Sequence, residues 1–258
     1  MNVSPDVAAG AVLTAGAIAS GPLAIRAAFQ LRPGRNVFFA SWGFGQALVG
    51  LIVAVLAGLL AASFLPPEYA GLATPIGLAG GCVVAFASAH RAQRAPLAAL
   101  GLAPSALAAR PLLVGPAMTL LALPAGIGTA FLAGTWGASE GSWRSSVLES
   151  GSAGLDPVWW VVFLLFAPVV TELWFRGFLQ PLLVQNFSER GGLVLSAVLF
   201  ASIHGTADFL PMLALGLALA LAKLRTQSSY TVILGAALWN AVAFWLGSSG
   251  SARLPLAF

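Results

Sequence analysis

The stretch from Pro168 to Gln180 reads PVVTELWFRGFLQ and places two ionisable residues inside an apolar run long enough to cross a bilayer. Glu172 and Arg176 are four residues apart, so a helix puts the carboxylate and the guanidinium on one face, within reach of each other. An ionisable pair at membrane depth is expensive and by default marks a functional site. The stretch therefore predicts a transmembrane helix at the centre of a site.

The composition of the whole chain predicts a polytopic membrane protein. Of its 258 residues, 59% are hydrophobic and only 8% are charged, whereas soluble domains carry about 25% charged residues. Asp6 stands where a signal peptide has basic residues, so we do not expect a cleaved signal peptide. The basic residues are spread thinly among apolar spans, which indicates positive-inside topology and not nucleic-acid binding.

Runs of about 20 apolar residues predict about eight transmembrane helices. They lie at 7–28, 37–65, 70–89, 111–136, 157–185, 191–204, 209–222 and 231–247. We expect a short interfacial helix in the connector at 95–110 and a polar loop at 137–156. The fold class is all-α, a membrane helix bundle. Its expected parts are generic spans in 1–94, a membrane domain with the polar motif residues in 95–247, packed with 1–94 as one bundle, and a short tail in 248–258.

The basic residues orient this bundle. If the first loop is cytoplasmic, the cytoplasmic loops hold nine of the twelve Lys and Arg residues, namely Arg26, Arg32, Arg35, Arg91, Arg94, Arg110, Arg190, Lys223 and Arg225. Only Arg144 and Arg253 fall on the other side, and Arg176 lies within the membrane. The bias predicts that both termini are outside. We expect a multi-pass integral protein of a bacterial-type cytoplasmic membrane.

Three polar residues on different predicted helices are expected at one depth. Glu172, His204 and Asn240 each lie fourteen or fifteen residues from the nearest cytoplasmic loop, which is about 21 Å along a helix. Such a layer suits a site that is buried among helices. Each residue also has a structural alternative. Glu172 would only form a charge pair with Arg176, and His204 would cap a helix. Asn240 would form a hydrogen bond between helices, worth about 0.6–2 kcal/mol.

These residues resemble the motifs of the CPBP family, which comprises type II CAAX prenyl proteases and bacteriocin-processing or self-immunity proteins. TELWFRG (171–177) is similar to the motif Glu-Glu-x-x-x-Arg-Gly, and FASIH (200–204) is similar to Phe-x-x-x-His. The run that ends at Asn240 is similar to the run that leads into His-x-x-x-Asn. The resemblance covers about 95–244 and implies the family's fold, an all-α membrane helix bundle.

The resemblance also implies roles for the polar residues, which line an intramembrane cavity in the family. The first glutamate and the second-motif histidine activate water for peptide hydrolysis, and the third-motif histidine and asparagine form the oxyanion site. The catalytic candidates carried over to this chain are Glu172, His204 and Asn240, with supporting roles for Thr171, Arg176 and Phe200. No cofactor is expected, because one histidine and one displaced glutamate are too few ligands for a catalytic zinc.

Two positions depart from the family pattern. Thr171 stands where the first glutamate belongs, and Ala236 stands where the third-motif histidine belongs. Threonine cannot take a proton from water at neutral pH, and the loss of one oxyanion donor alone typically costs about 10²–10³ in rate. We therefore predict a member with lost or impaired proteolytic activity. It would keep the cavity and bind a membrane-embedded or lipid-modified peptide partner in the lipid bilayer.

Two other functions stay open at this point. Glu172 is displaced from the family position by one residue, about 100° around a helix. A local rotation or bulge would let it act with His204 in an active intramembrane endopeptidase, or His204 would act alone as base beside Asn240 and Thr171. The other function is a small transporter in which Glu172, Arg176 and His204 form a polar pathway, which requires a water-accessible route to both faces.

Overall fold

The structure is a computed structural model that describes residues 40–92, 95–135 and 157–248. The regular structure in these three ranges is helical. The predicted span at 7–28, the beginning of the span at 37–65, the loop at 137–156 and the tail after 248 lie outside the described residues.

The described part of the chain forms eight helices, which we number in chain order. They are α1 Phe44–Phe64, α2 Ala73–Ala92, α3 Pro96–Ala99, α4 Ala109–Thr135, α5 157–187, α6 Glu189–Ser202, α7 Gly205–Thr226 and α8 Ser229–Ser248. In these described ranges, five helical segments are long and apolar enough to cross a membrane: Phe44–Phe64, Tyr69–Ala92, Pro111–Thr129, Trp159–Phe187 and Asp208–Thr226. A helix satisfies its own backbone hydrogen bonds, so it suits a solvent without water. The predicted all-α membrane helix bundle is confirmed.

One of the predicted spans is shorter than a bilayer core. α6 has 14 residues, which is about 21 Å against about 30 Å of hydrocarbon. Between α6 and α7 the chain turns at Ile203 and His204, so this turn lies at the end of a short helix.

The connector between α2 and α4 corrects one prediction. One continuous interfacial helix is absent from the described connector, which contains the four-residue α3 and a short 3₁₀ turn, Pro104–Leu107. The break has two causes. Gly101 takes a left-handed φ of +78°, which favours glycine, and Pro104 disfavours helical backbone in the residue before it.

α1 and α2 form a hairpin that packs through small residues. Gly50, Ala54 and Gly58 recur every four residues on α1 and face Gly77 and Gly81 on α2. A Cβ atom at Gly77 would lie 2.5 Å from the carbonyl oxygen of Ala54, so the backbones approach this closely only because that residue is glycine. Close contact of this kind drives helix association in lipid.

Trp174 joins this hairpin to α5. Its indole ring lies so close to Gly50 that an added Cβ there would come within 2.6 Å of the ring, and at Gly81 within 3.2 Å. The thiol of Cys82 donates a hydrogen bond of 3.2 Å to the carbonyl of Val170. The glycines of the hairpin thus form the surface against which α5 packs.

Helices α5 to α8 are connected by short turns, so neighbours in sequence run antiparallel. Ser188 separates α5 from α6. Its backbone is left-handed, and its hydroxyl oxygen accepts a hydrogen bond from the N–H of Gly191 in the first turn of α6. α7 ends at Gln227, which also has a left-handed φ, of +55°. Since α7 packs against α4, α6 and α8 and reaches α5, it is the central helix of this half.

Candidate functional site

Helix α5 departs from regular α-helix on both sides of Glu172. It contains π-helical turns at Val162–Phe166 and Leu173–Leu179, with the α-helical segment Ala167–Glu172 between them. A π turn inserts one residue into a helix and is frequently found at functional sites. A local bulge of the kind that could redirect Glu172 is therefore present, immediately after that residue.

Asn240 on α8 forms a hydrogen bond with the first π turn. Its Nδ2 atom donates a hydrogen bond of 2.8 Å to the carbonyl oxygen of Phe163. In α5 itself, the N–H of Ala167 bonds to the carbonyl of Val162. Pro168, five residues after Phe163, has no N–H. Asn240 thus supplies from another helix the donor that α5 cannot supply, which is an interhelical structural contact.

This contact corrects the predicted depth of Asn240. Phe163 lies nine residues before Glu172 on α5, about 13 Å along the helix axis. The prediction that Asn240 faces Glu172 at one level is wrong, because equal counts from loops ignore the paths that helices take between them. His204 keeps its predicted level, since it follows Phe200 by one turn and Phe200 contacts Arg176.

Glu172 and Arg176 form the ion pair that their spacing predicts. Nε of Arg176 lies 3.3 Å from Oε2 of Glu172, and both side chains are 0% exposed. Among the described residues, neither carboxylate oxygen of Glu172 accepts a hydrogen bond. The group that pairs with this carboxylate is the guanidinium one helical turn away.

The other contacts of the Arg176 guanidinium reach α6 and α7. Its carbon Cζ lies 4.1 Å from the ring centroid of Phe200, a cation–π distance. Its Nη2 donates a hydrogen bond of 3.1 Å to the carbonyl of Gly216. One turn further along α5, Nε2 of Gln180 donates a hydrogen bond of 2.7 Å to the carbonyl of Ala220. A polar row on α5 is therefore bonded to backbone carbonyls of α7.

His204 lies at the turn between α6 and α7 and is half-buried. Its Nδ1 atom is 2.7 Å from the carbonyl oxygen of Phe200, and its ring lies 4.6 Å from the Phe200 ring. Gly205 follows with a φ of +83°, so the backbone turn requires glycine there. The structure thus brings Glu172 and His204 to one neighbourhood, joined through Arg176 and Phe200 and not by a direct hydrogen bond.

The two positions that are predicted to depart from the family pattern have different surroundings. Thr171 is half-buried on α5. Ala236, one turn before Asn240 on α8, is 7% exposed and belongs to the hydrophobic core. The place of the third-motif histidine is therefore occupied by core packing.

Lys223 belongs to a buried polar cluster that the sequence did not predict. The sequence analysis assigned it to a loop, but α7 continues to Thr226 and Lys223 is 5% exposed. The loop assignment is therefore wrong for Lys223, which lies in the last turn of α7 and is covered by the connector. The Lys223 ammonium donates to the hydroxyl of Ser229 at 2.8 Å and to the carbonyl of Leu100 at 3.3 Å.

The cluster continues along the residues that follow Gln227. Ser228 donates to the carbonyl of Ala106, and Tyr230 donates to the carbonyl of Leu102, each at 3.0 Å. Residues 228–230 therefore bind connector carbonyls through their hydroxyl groups, and the hydroxyl of Thr231 donates to the carbonyl of Leu112 on α4. Four hydroxyl residues in a row beside an apolar helix were the signal in the sequence, although their acceptors lie more than 100 residues away.

The described residues contain no group of three His, Cys, Asp or Glu side chains that could hold a metal ion. The chemistry that this neighbourhood offers is that of one carboxylate, one guanidinium and one imidazole. The carboxylate is sealed inside the bundle and the imidazole is partly accessible.

The comparison with known families agrees with the motifs. Residues 153–242 match the family model described as Type II CAAX prenyl endopeptidase Rce1-like. No curated protein and no solved structure matches the chain. The matched residues include the described parts of α5 to α7 and most of α8, which carry Glu172, His204 and Asn240. Through this region the chain is similar to the type II CAAX prenyl endopeptidases, and together with the five apolar helices this similarity supports an integral, multi-pass membrane protein.

Proposed function

We propose that this CAAX-protease-like membrane protein has lost most or all proteolytic activity and binds a membrane-embedded or lipid-modified peptide. Its family acts on prenylated peptides at membranes, so a peptide with a prenyl group is the partner class with the best support. We place the protein in a bacterial-type cytoplasmic membrane, with the basic loops on the cytoplasmic side.

The observation that carries this proposal concerns the two positions of the first motif at which the family has glutamates. The first is Thr171, which is no general base, and the second is Glu172, which is fully buried against Arg176. A general base needs hydrogen-bond reach to the water that it activates. The two other family positions add support, since Ala236 lies in the core and Asn240 is bonded to Phe163.

The proposal is tested with the full chain in liposomes and a fluorogenic prenylated peptide. We expect the native chain to bind the peptide, as measured by fluorescence anisotropy, without cleaving it. The variant Thr171→Glu/Ala236→His restores both missing family side chains, and we expect cleavage above that of the native chain. The same peptide without its prenyl group is the matched control and should not bind.

Cleavage by the native chain that Glu172→Gln abolishes would contradict the proposal. Because Glu172→Gln also breaks a buried ion pair, its unfolding midpoint has to be measured alongside its activity. A variant that has lost cleavage but kept the native midpoint would show that Glu172 takes part in catalysis.

A second function is favoured by the π turn after Glu172 and by the partial exposure of His204. In an active endopeptidase, these two residues would activate water in an altered geometry. This function predicts that His204→Ala stops cleavage and leaves folding unchanged. If the native chain cleaves and His204→Ala cleaves equally well, this second function is excluded.

A further inference from the structure

Four buried side chains on α5 and α6 keep unused hydrogen-bonding atoms. Among the described residues, hydrogen-bond partners are lacking for Oε1 and Oε2 of Glu172, Nη1 of Arg176, Oε1 of Gln180 and Oγ of Ser196, although Oε2 of Glu172 is in the ion pair with Arg176. These residues are 0–2% exposed. An unpaired buried polar group typically costs about 1–3 kcal/mol, and nearly all such groups in proteins are bonded to protein or to ordered water.

The positions of these residues place them in adjacent layers between α5 and α6. The two helices meet at Ser188, and Arg176 lies eleven residues before Phe187 while Phe200 lies eleven residues after Glu189. Residues at equal distances in sequence from the turn lie at one level on antiparallel helices, and the guanidinium and the Phe200 ring are accordingly in contact. The same comparison can be made for the residues that lie one helical turn nearer to Ser188.

In that nearer layer, Gln180 lies seven residues before Phe187, and Ser196 lies seven residues after Glu189. The two buried side chains therefore stand at one level on facing helices. The amide nitrogen of Gln180 is used by Ala220, which leaves its oxygen as an acceptor. The Ser196 hydroxyl is both a donor and an acceptor.

We propose that α5 and α6 enclose an internal water site between Gln180 and Ser196, which extends toward Arg176 and Glu172. A buried water needs two to four polar partners, and this layer supplies an amide oxygen, a hydroxyl and the next layer's guanidinium N–H. The carboxylate oxygens of Glu172 accept from the same water network at its other end. This site does not depend on whether the chain cleaves peptides.

A structure of the full chain in nanodiscs, at a resolution that shows ordered water, tests the site directly. We expect a density peak at about 2.7–3.2 Å from both Oε1 of Gln180 and Oγ of Ser196. No such peak, or a direct hydrogen bond between the two side chains, overturns the proposal.

A substitution tests the site by the sign of its effect on stability. If Ser196 is bonded to water, Ser196→Ala removes a partner and lowers the folding equilibrium constant about fivefold or more. If the hydroxyl is buried without a partner, the same change leaves stability equal or raises it. The control is Ser202→Ala on the same helix, whose exposed hydroxyl bonds to the carbonyl of Val198 in its own helix. A Ser196→Ala variant that is as stable as this control also overturns the proposal.

Discussion

The α1–α2 hairpin and the α5–α7 core are held together in lipid by different kinds of contact. In α1 only 17% of the apolar segment is buried, whereas in α7 the fraction is 61%. The hairpin has glycines at its contact and large apolar side chains on its outer face. The core has an ion pair within α5, and the buried N–H groups of Arg176, Gln180 and Lys223 donate hydrogen bonds to other segments of the chain.

This difference follows from the absence of water between the helices. Lipid tails are as apolar as leucine, so helices associate through close packing or through polar contacts. The hairpin uses close packing alone, and its sequence is correspondingly generic. The core uses polar contacts, which require specific partners, and the family motifs lie in it.

The largest effect is expected from breaking the ion pair of the core. Arg176→Met leaves the Glu172 carboxylate buried without a cation, which should lower the free energy of unfolding by about 3–5 kcal/mol. Circular dichroism during denaturation in mixed detergent micelles measures the change. The control is Glu172→Gln/Arg176→Met, which removes both charges and should recover most of the loss. Equal stability of the single and double variants would show that the pair does not hold the core.

A smaller effect is expected in the hairpin. Gly77→Ala places a Cβ atom 2.5 Å from the Ala54 carbonyl oxygen, so α1 and α2 must separate, at about 1–3 kcal/mol. Gly45→Ala is the matched control on α1, because nothing lies within 4 Å of its added Cβ. That control should be as stable as the native chain or more so. A loss at Gly45 equal to that at Gly77 would mean that close approach is not what joins the hairpin.

The smallest effect is expected at Asn240, where one hydrogen bond joins α8 to α5. Asn240→Leu should destabilise the protein by about 1 kcal/mol, the range of such bonds in membranes. The variant Pro168→Ala tests whether the hydrogen bond to Phe163 is the cause, because alanine supplies to the first π turn the backbone N–H that proline lacks. In that background the loss from Asn240→Leu should shrink. An unchanged loss would show that Asn240 acts through packing and not through the Phe163 carbonyl.

Several features of the core could be predicted from the sequence because they depend on neighbours along one helix. The Glu172–Arg176 pair is an example, since a spacing of four brings the groups together in almost any helix. The level of His204 relative to Glu172 was also predictable, because one turn at Ser188 joins α5 to α6. Asn240 was placed wrongly because its helix reaches α5 only after α6 and α7.

The sequence by itself determined that this is an all-α membrane protein whose α5 and α6 carry motifs similar to those of the type II CAAX endopeptidases, and it predicted that Thr171 and Ala236 depart from the family pattern. Those properties depend on residue type and on spacing within a helix. Only the tertiary structure decided that Lys223 is buried under the connector, that Asn240 completes a π turn, and that Glu172 is sealed against Arg176. These facts depend on which helices meet, and helices meet through contacts between residues far apart in the chain.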